Sequence, residues 1–322
     1  MVLYHDGKHN KLMNICDNSP QTQRMHLPPH EKTDFDHFIK SHRNAFSVQH
    51  NKSLFIGLAW VIPMEQKLFH HFPEVICVDT TSHTNKDKRP LLTVSGRDTH
   101  GKMFIILRAF LPNERAWVFR WIFLLVIPTL FPSYVLSQVK VIISDGCPQE
   151  FIQIDNARKK IFKNALRIRC GYHIVTMGWK VHVIKKSCFP DKYGPLYDNI
   201  CNHLKKWIYS WMKSSCETRE EFMLSKLMFK KFLTSKQIKS TLGTPFIDSV
   251  QNFVTKHIEP HESNFCFHLR LNLRHFDEYT NSIHEGTNRA LKYNAASVGP
   301  STKIEKAMAI MCNNAERNGK KK

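Results

Sequence analysis

Two aspartates stand where short β-branched runs stop. Glu74–Asp79 reads EVICVD and Gln138–Asp145 reads QVKVIISD, each an apolar stretch of strand length closed by a carboxylate. Such runs fit buried strands, and side chains at the carboxyl ends of strands in an open α/β sheet face the crevice where ligands bind. Asp79 and Asp145 therefore offer hard oxygen ligands suited to Mg²⁺ or Mn²⁺. A third carboxylate would complete a two-metal site, and Glu285, within Tyr279–Lys292 (YTNSIHEGTNRALK), is the candidate. The plainer reading of either aspartate alone is a solvated turn or a helix cap.

Cys170 and His173 form a C-x2-H pair, a spacing used by zinc sites, although two ligands are half of one. His257 and His261, an H-x3-H pair able to share a helix face, or Cys266 and His268, would complete it. The alternative is a small buried thiol at a strand end and a hydrogen-bonded histidine at a helix start. Lysines form a third group: Lys159, Lys160, Lys163, Lys185, Lys186, Lys205, Lys206, Lys230, Lys231 and Lys292. With Trp207, Tyr209 or Trp211 near bases or sugars they would neutralise phosphates. Equally, these are amphipathic helices with aromatics in the core and lysines in water.

The whole composition favours a polyanionic partner. In 322 residues, 47 Lys and Arg stand against 27 Asp and Glu, a net charge of +20. A hydrophobic content of 42% excludes a disordered basic tail. Nine cysteines without regular spacing are not a disulfide framework. The N-terminal MVLYHDGKHNKLMN has no apolar signal region, so a reducing compartment is expected. The most apolar stretch, Trp117–Leu136, is interrupted by Arg120, Pro128 and Pro132 and reads as a buried helix rather than a membrane span.

The elements that must position these residues follow from periodicity. Residues 1–52 read as a polar lead-in with one helix at Asp34–Phe46, and Ser53–Phe72 predicts helix around Pro63. After the Glu74–Asp79 strand, Leu91–Arg97 and Met103–Leu111 flank Asp98-Thr-His-Gly101 as a hairpin. An apolar helix from Asn113 to Leu130, the strand ending at Asp145, a helix opened by Pro148 and a strand at Ala165–Cys170 follow. The order β-β-β-α-β-α-β makes a mixed α/β sheet. Residues 53–173 are expected to be the first part of a core, 174–275 a helical insertion, and 276–322 a last site-bearing helix (His284–Tyr293) and a C-terminal helix (Ser301–Ala315).

Five blocks in this order resemble MULE (Mutator-like element) transposases. Val75–Asn85 (VICVDTTSHTN) with Pro90-Leu-Leu and Gly96–Gly101 is similar to the family's first catalytic block. Asn113-Glu114 with Trp121 resembles its acidic residue and tryptophan, and Val141–Gly146 its second aspartate block. Cys170–His173 resembles the C-x2-H motif that opens its insertion domain, and Thr280–Lys292 the block of its third acidic residue. The resemblance, over about residues 55 to 315, implies an RNase H-like fold with Asp79, Asp145 and Glu285 as catalytic metal ligands. It implies a nuclear DNA transposase, acting as a homo-oligomer on element terminal repeats and target DNA with Mg²⁺ or Mn²⁺, and with structural Zn²⁺ at the C-x2-H pair. Its alternatives are a catalytically silent, host-adopted DNA-binding descendant, and a ribonuclease or resolvase on the same fold. No Cys/His array precedes residue 55 or follows 315, so a truncated copy is expected.

Overall fold

The computed structural model describes residues 5–6, 10–16, 26–45, 55–185, 194–271 and 301–319. The chain divides into two compact units, Met1–Ile142 with Cys147–Ala165 and Ile283–Lys322, and Ile143–Gly146 with Leu166–Ser282.

In the first unit, β1 (His5–Asp6), β2 (Asn10–Cys16), β3 (Phe55–Val61), β4 (Val75–Thr81), β5 (Leu91–Arg97) and β6 (Met103–Phe110) are joined by the start of β7 (Val141–Ser144). Hydrogen-bond neighbours run β1-β2-β3-β6-β5-β4-β7. The pairings of β1 with β2, β2 with β3, β3 with β6, β6 with β5 and β5 with β4 are antiparallel. Helices α1 (Pro29–Ala45), α2 (Pro63–His71), α3 (Ala116–Trp121), α4 (Ile127–Leu130), α5 (Ser133–Leu136), α6 (Pro148–Lys160) and, last in the chain, Ile304–Gly319 complete the unit. A π turn, Ile122–Val126, runs α3 into α4 as one apolar rod.

The expectation of helix from Ser53 holds only beyond Pro63. Phe55–Val61 (FIGLAWV) is strand β3, because its apolar residues fill both faces of a central strand and leave no helical periodicity to read. Pro63 then opens α2 at a first-turn position. Residues read as a polar lead-in supply two strands and α1. In α1, Phe35 and Phe38 pack on Trp117, and Glu31, 1% exposed, accepts from Arg120 at 2.7 and 3.0 Å and from Gln153 at 2.8 Å. One face of the sheet, with Ala59, Val78, Leu92, Val94 and Ala109, belongs to the large core that includes Trp117 and Trp121. On the other, Trp60, Leu91 and Phe110 pack with Ala307, Met311 and Cys312 of the C-terminal helix.

The second unit holds the end of β7 with β8 (Leu166–Arg169), the next strand in the sheet order. It continues through π turns at Tyr172–Met177 and Lys180–Ile184 into α7 (Pro195–Ser210), α8 (Arg219–Leu233), α9 (Lys236–Leu242) and α10 (Thr244–Phe253). The C-terminal helix is therefore α11 (Ile304–Gly319). The second unit has its own core, with Trp179, Leu204, Trp211, Phe222, Phe229 and Phe246. Its first helical turn, Tyr172–Met177, follows β8 directly. The expected helix His284–Tyr293 lies outside the described residues.

Candidate active site

Asp79 is the fifth residue of β4 and is 3% exposed. It pairs with Thr93 of β5, which pairs with Arg108 of β6, which pairs with Trp60 of β3. Residues directly opposite share a face, so Asp79 lies on the side of the sheet where α11 packs. The next row on that face is Thr81, Leu91, Phe110 and Leu58. Arg108 in Asp79's row is committed elsewhere: its guanidinium makes two bonds, 2.7 and 2.8 Å, to Glu65 of α2.

The loop after β4 is built by the Thr84-Asn85 pair, both fully buried. Asn85 Nδ2 donates to Arg89 O at 2.6 Å, and Asn85 Oδ1 accepts from Arg89 N at 3.0 Å. Lys86 N donates to Thr302 O at 2.7 Å, tying the loop to the segment before α11. Arg89 donates to Ile56 O, and burial lowers its pKa against the pull of Asp87. These residues shape the loop that follows β4. Asn113 likewise holds a turn, accepting from Arg115 N at 3.0 Å, and Trp121 is a buried core residue beside Gly57.

β7 starts beside β4, where Glu74 O accepts from both Lys140 N and Val141 N at 2.8 and 3.0 Å. Each strand carries its aspartate a few residues further along.

In the second unit Asp145 follows the last residue of β7 and is half-buried. His173 Nδ1 lies 3.1 Å from Asp145 Oδ1, an oblique approach at ion-pair distance. Cys170 is fully buried, its N–H donates to Ser144 O at 2.7 Å, and its carbonyl accepts from Ile174 N at 3.0 Å. Arg169 lies over Gly146, whose φ is +95°; a Cβ there would meet Arg169 Nε at 2.5 Å. Burial, then the charge of Arg167, lowers the Arg169 pKa.

The expected completion of a zinc site is not drawn. His257 stacks on His182 with ring centroids 3.7 Å apart. His261 has its pKa lowered by burial and then by Arg169, Arg167 and His257. Burial pushes the Cys266 thiol up. Among the described residues no group of three or more His, Cys, Asp or Glu is placed to hold a metal ion. The structure joins His173 to a carboxylate instead, a partnership the C-x2-H spacing could not show because Asp145 comes from another strand. Asp79 and Asp145 fall in different units, and Glu285 lies outside the described residues.

Of the lysines, Lys159, Lys160, Lys185, Lys206, Lys230 and Lys231 are exposed and Lys205 is half-buried, while Lys186 and Lys292 lie outside the described residues. The aromatics among them serve the second core. Trp207 and Trp211 both donate to Ser225 Oγ at 2.9 Å and pack on Phe229, and Tyr209 Oη meets Thr176 Oγ1 at 2.9 Å. They are not free to stack on bases.

In a comparison with known families, a family model described as the MULE transposase domain matches residues 75–177. Residues 75–177 are thus similar to the MULE transposase domain. The match opens with β4 and closes with the π turn at Tyr172–Met177, so Asp79, Asp145, Cys170 and His173 all lie inside the matched segment. No curated protein matches the chain. Among the described residues no helix is long and apolar enough to cross a membrane.

Proposed function

We propose that the chain is a DNA transposase of RNase H-like architecture, cutting and joining phosphodiesters with Asp79, Asp145 and Glu285 as its metal-binding carboxylates. The observation that carries this reading is the transposase-domain match over residues 75–177, which encloses both strand-borne aspartates. The donor set fits the group: three carboxylates are hard oxygen ligands of the kind Mg²⁺ and Mn²⁺ take. When bound, two such ions supply Lewis acidity for in-line displacement at phosphorus.

The chain's own residues supply placement. Asp79 is held on a central strand, in the row of Thr93 and Arg108, and the Arg108 guanidinium is bonded to Glu65. Asp145 stands at a strand exit and not within a strand, so its carboxylate can reach away from the sheet. The net charge of +20 draws the DNA backbone to the surface. A nuclear location and action as an oligomer on element ends belong to the same proposal.

The test is nicking and strand transfer on short duplexes with Mg²⁺ or Mn²⁺. The parent is expected to cleave, and Asp79→Ala, Asp145→Asn and Glu285→Ala to lose cleavage by several orders of magnitude while still binding DNA. Equal cleavage by parent and Asp145→Asn would sink the assignment. A parent that binds DNA in a salt-dependent way but never cuts it would identify a silent DNA-binding descendant.

A further inference from the structure

Three consecutive residues at the exit of β7 are each held by one short segment. Ser144 O accepts the Cys170 N–H at 2.7 Å, Asp145 Oδ1 lies 3.1 Å from His173 Nδ1, and the Arg169 guanidinium covers Gly146. All of these residues belong to the second unit. The C-x2-H spacing gains a physical meaning from this. Cys170 closes the end of β8 against β7, where a fully buried small side chain fits. The turn that follows carries the imidazole back to the carboxylate.

The backbone at His173 is itself unusual: it lies in a π turn, Tyr172–Met177. Such wide turns are rare and concentrate at functional sites. Tyr172 packs edge-on against the His173 ring, with centroids 5.6 Å apart and planes at 90°, which limits how the imidazole can rotate.

We propose that Arg169–His173 is a clamp on the Ser144–Gly146 turn, and that His173 is the positioning residue that fixes the Asp145 carboxylate for a divalent cation. The proposal rests on the reading of Asp145 as a metal ligand. Partners that orient a ligating carboxylate set metal affinity without touching the metal, and their loss typically weakens binding about 10–100-fold. The clamp therefore acts on the geometry of the ligand, and no zinc is needed to account for Cys170 and His173.

The experiment is Mn²⁺ titration of the full-length chain, read by the electron-paramagnetic-resonance signal of the free ion, with thermal unfolding of each variant. The parent should bind Mn²⁺ and Asp145→Asn should lose that binding. His173→Ala should bind about 10–100-fold more weakly. His173→Asn, whose amide nitrogen occupies nearly the place of Nδ1, should recover most of the affinity at an unchanged melting temperature. Parent-like affinity in His173→Ala, with Asp145→Asn deficient, would overturn the clamp and leave the metal reading intact. Should the alanine variant fold poorly, a folded His173→Asn that binds no better than Asp145→Asn overturns the clamp equally. Unchanged binding in Asp145→Asn would instead overturn the metal reading, and the clamp with it.

Discussion

A buried charge network in the first unit ties α1 to the core through one carboxylate. Glu31 is 1% exposed and accepts three hydrogen bonds, two from Arg120 and one from Gln153, whose own Oε1 accepts from Asn156 at 3.2 Å. Removing one member of a buried pair strands the other charge, at a cost of about 3–5 kcal/mol. Glu31→Ala should therefore destabilise the protein by about 3 kcal/mol in denaturant unfolding, since Arg120 keeps some contact with water. Lys32→Ala, breaking an exposed i,i+4 pair with Asp36, should change stability by less than ~0.5 kcal/mol. Residues also mark what the sequence can and cannot show. The strands that carry Asp79 and precede Asp145 are legible because β-branched runs are a local pattern, although β4 continues past Asp79 to Thr81 instead of closing on it. The partners of Glu31 and His173 are not, since each comes from a distant segment and nothing in local spacing encodes it.

At the scale of elements, the hairpin β5–β6, the apolar rod after Asn113, α6 behind Pro148 and β8 follow the periodicity of the chain, because each has one buried face or none exposed. β3 does not: a short apolar run buried on both sides has the same pattern as a buried helix. Its identity is set by close packing instead. A Cβ on Gly57 would come within 3.1 Å of Trp121 Cζ3 and 3.2 Å of Phe110 O. The turn after β7 rests on a second glycine. Gly146 combines a φ of +95° with a guanidinium 2.5 Å from where a Cβ would stand. Gly146→Ala adds backbone strain of about 1–3 kcal/mol to the displacement of Arg169. It is expected to lower the melting temperature by several degrees, measured by calorimetry, whereas Gly194→Ala, whose Cβ would meet nothing within 4 Å, should leave it unchanged.

For the whole molecule, the proposed function expects a net charge of +20 to meet DNA at exposed basic residues. Lysine pairs end two helices, Lys159 and Lys160 in the last turn of α6 in the first unit, and Lys230 and Lys231 in the last turn of α8 in the second. Both pairs are exposed, and both sit where a cation favours the helix dipole by about 0.3–1 kcal/mol. Their position alone thus has a structural explanation, and composition could not separate it from a role in binding. Salt can. Each lysine that neutralises a phosphate contributes about one to the slope of log affinity against log salt. If one pair lies on the DNA path, replacing both lysines by alanine should lower that slope by about two, with little change in melting temperature. A dipole role predicts the reverse: an unchanged slope and a slightly less stable helix. Comparing Lys159→Ala/Lys160→Ala with Lys230→Ala/Lys231→Ala between about 50 and 200 mM salt then assigns the contact to one unit, to both or to neither. We expect both pairs to lower the slope, because both are exposed on a chain of net charge +20 and the duplex carries a charge every ~1.7 Å.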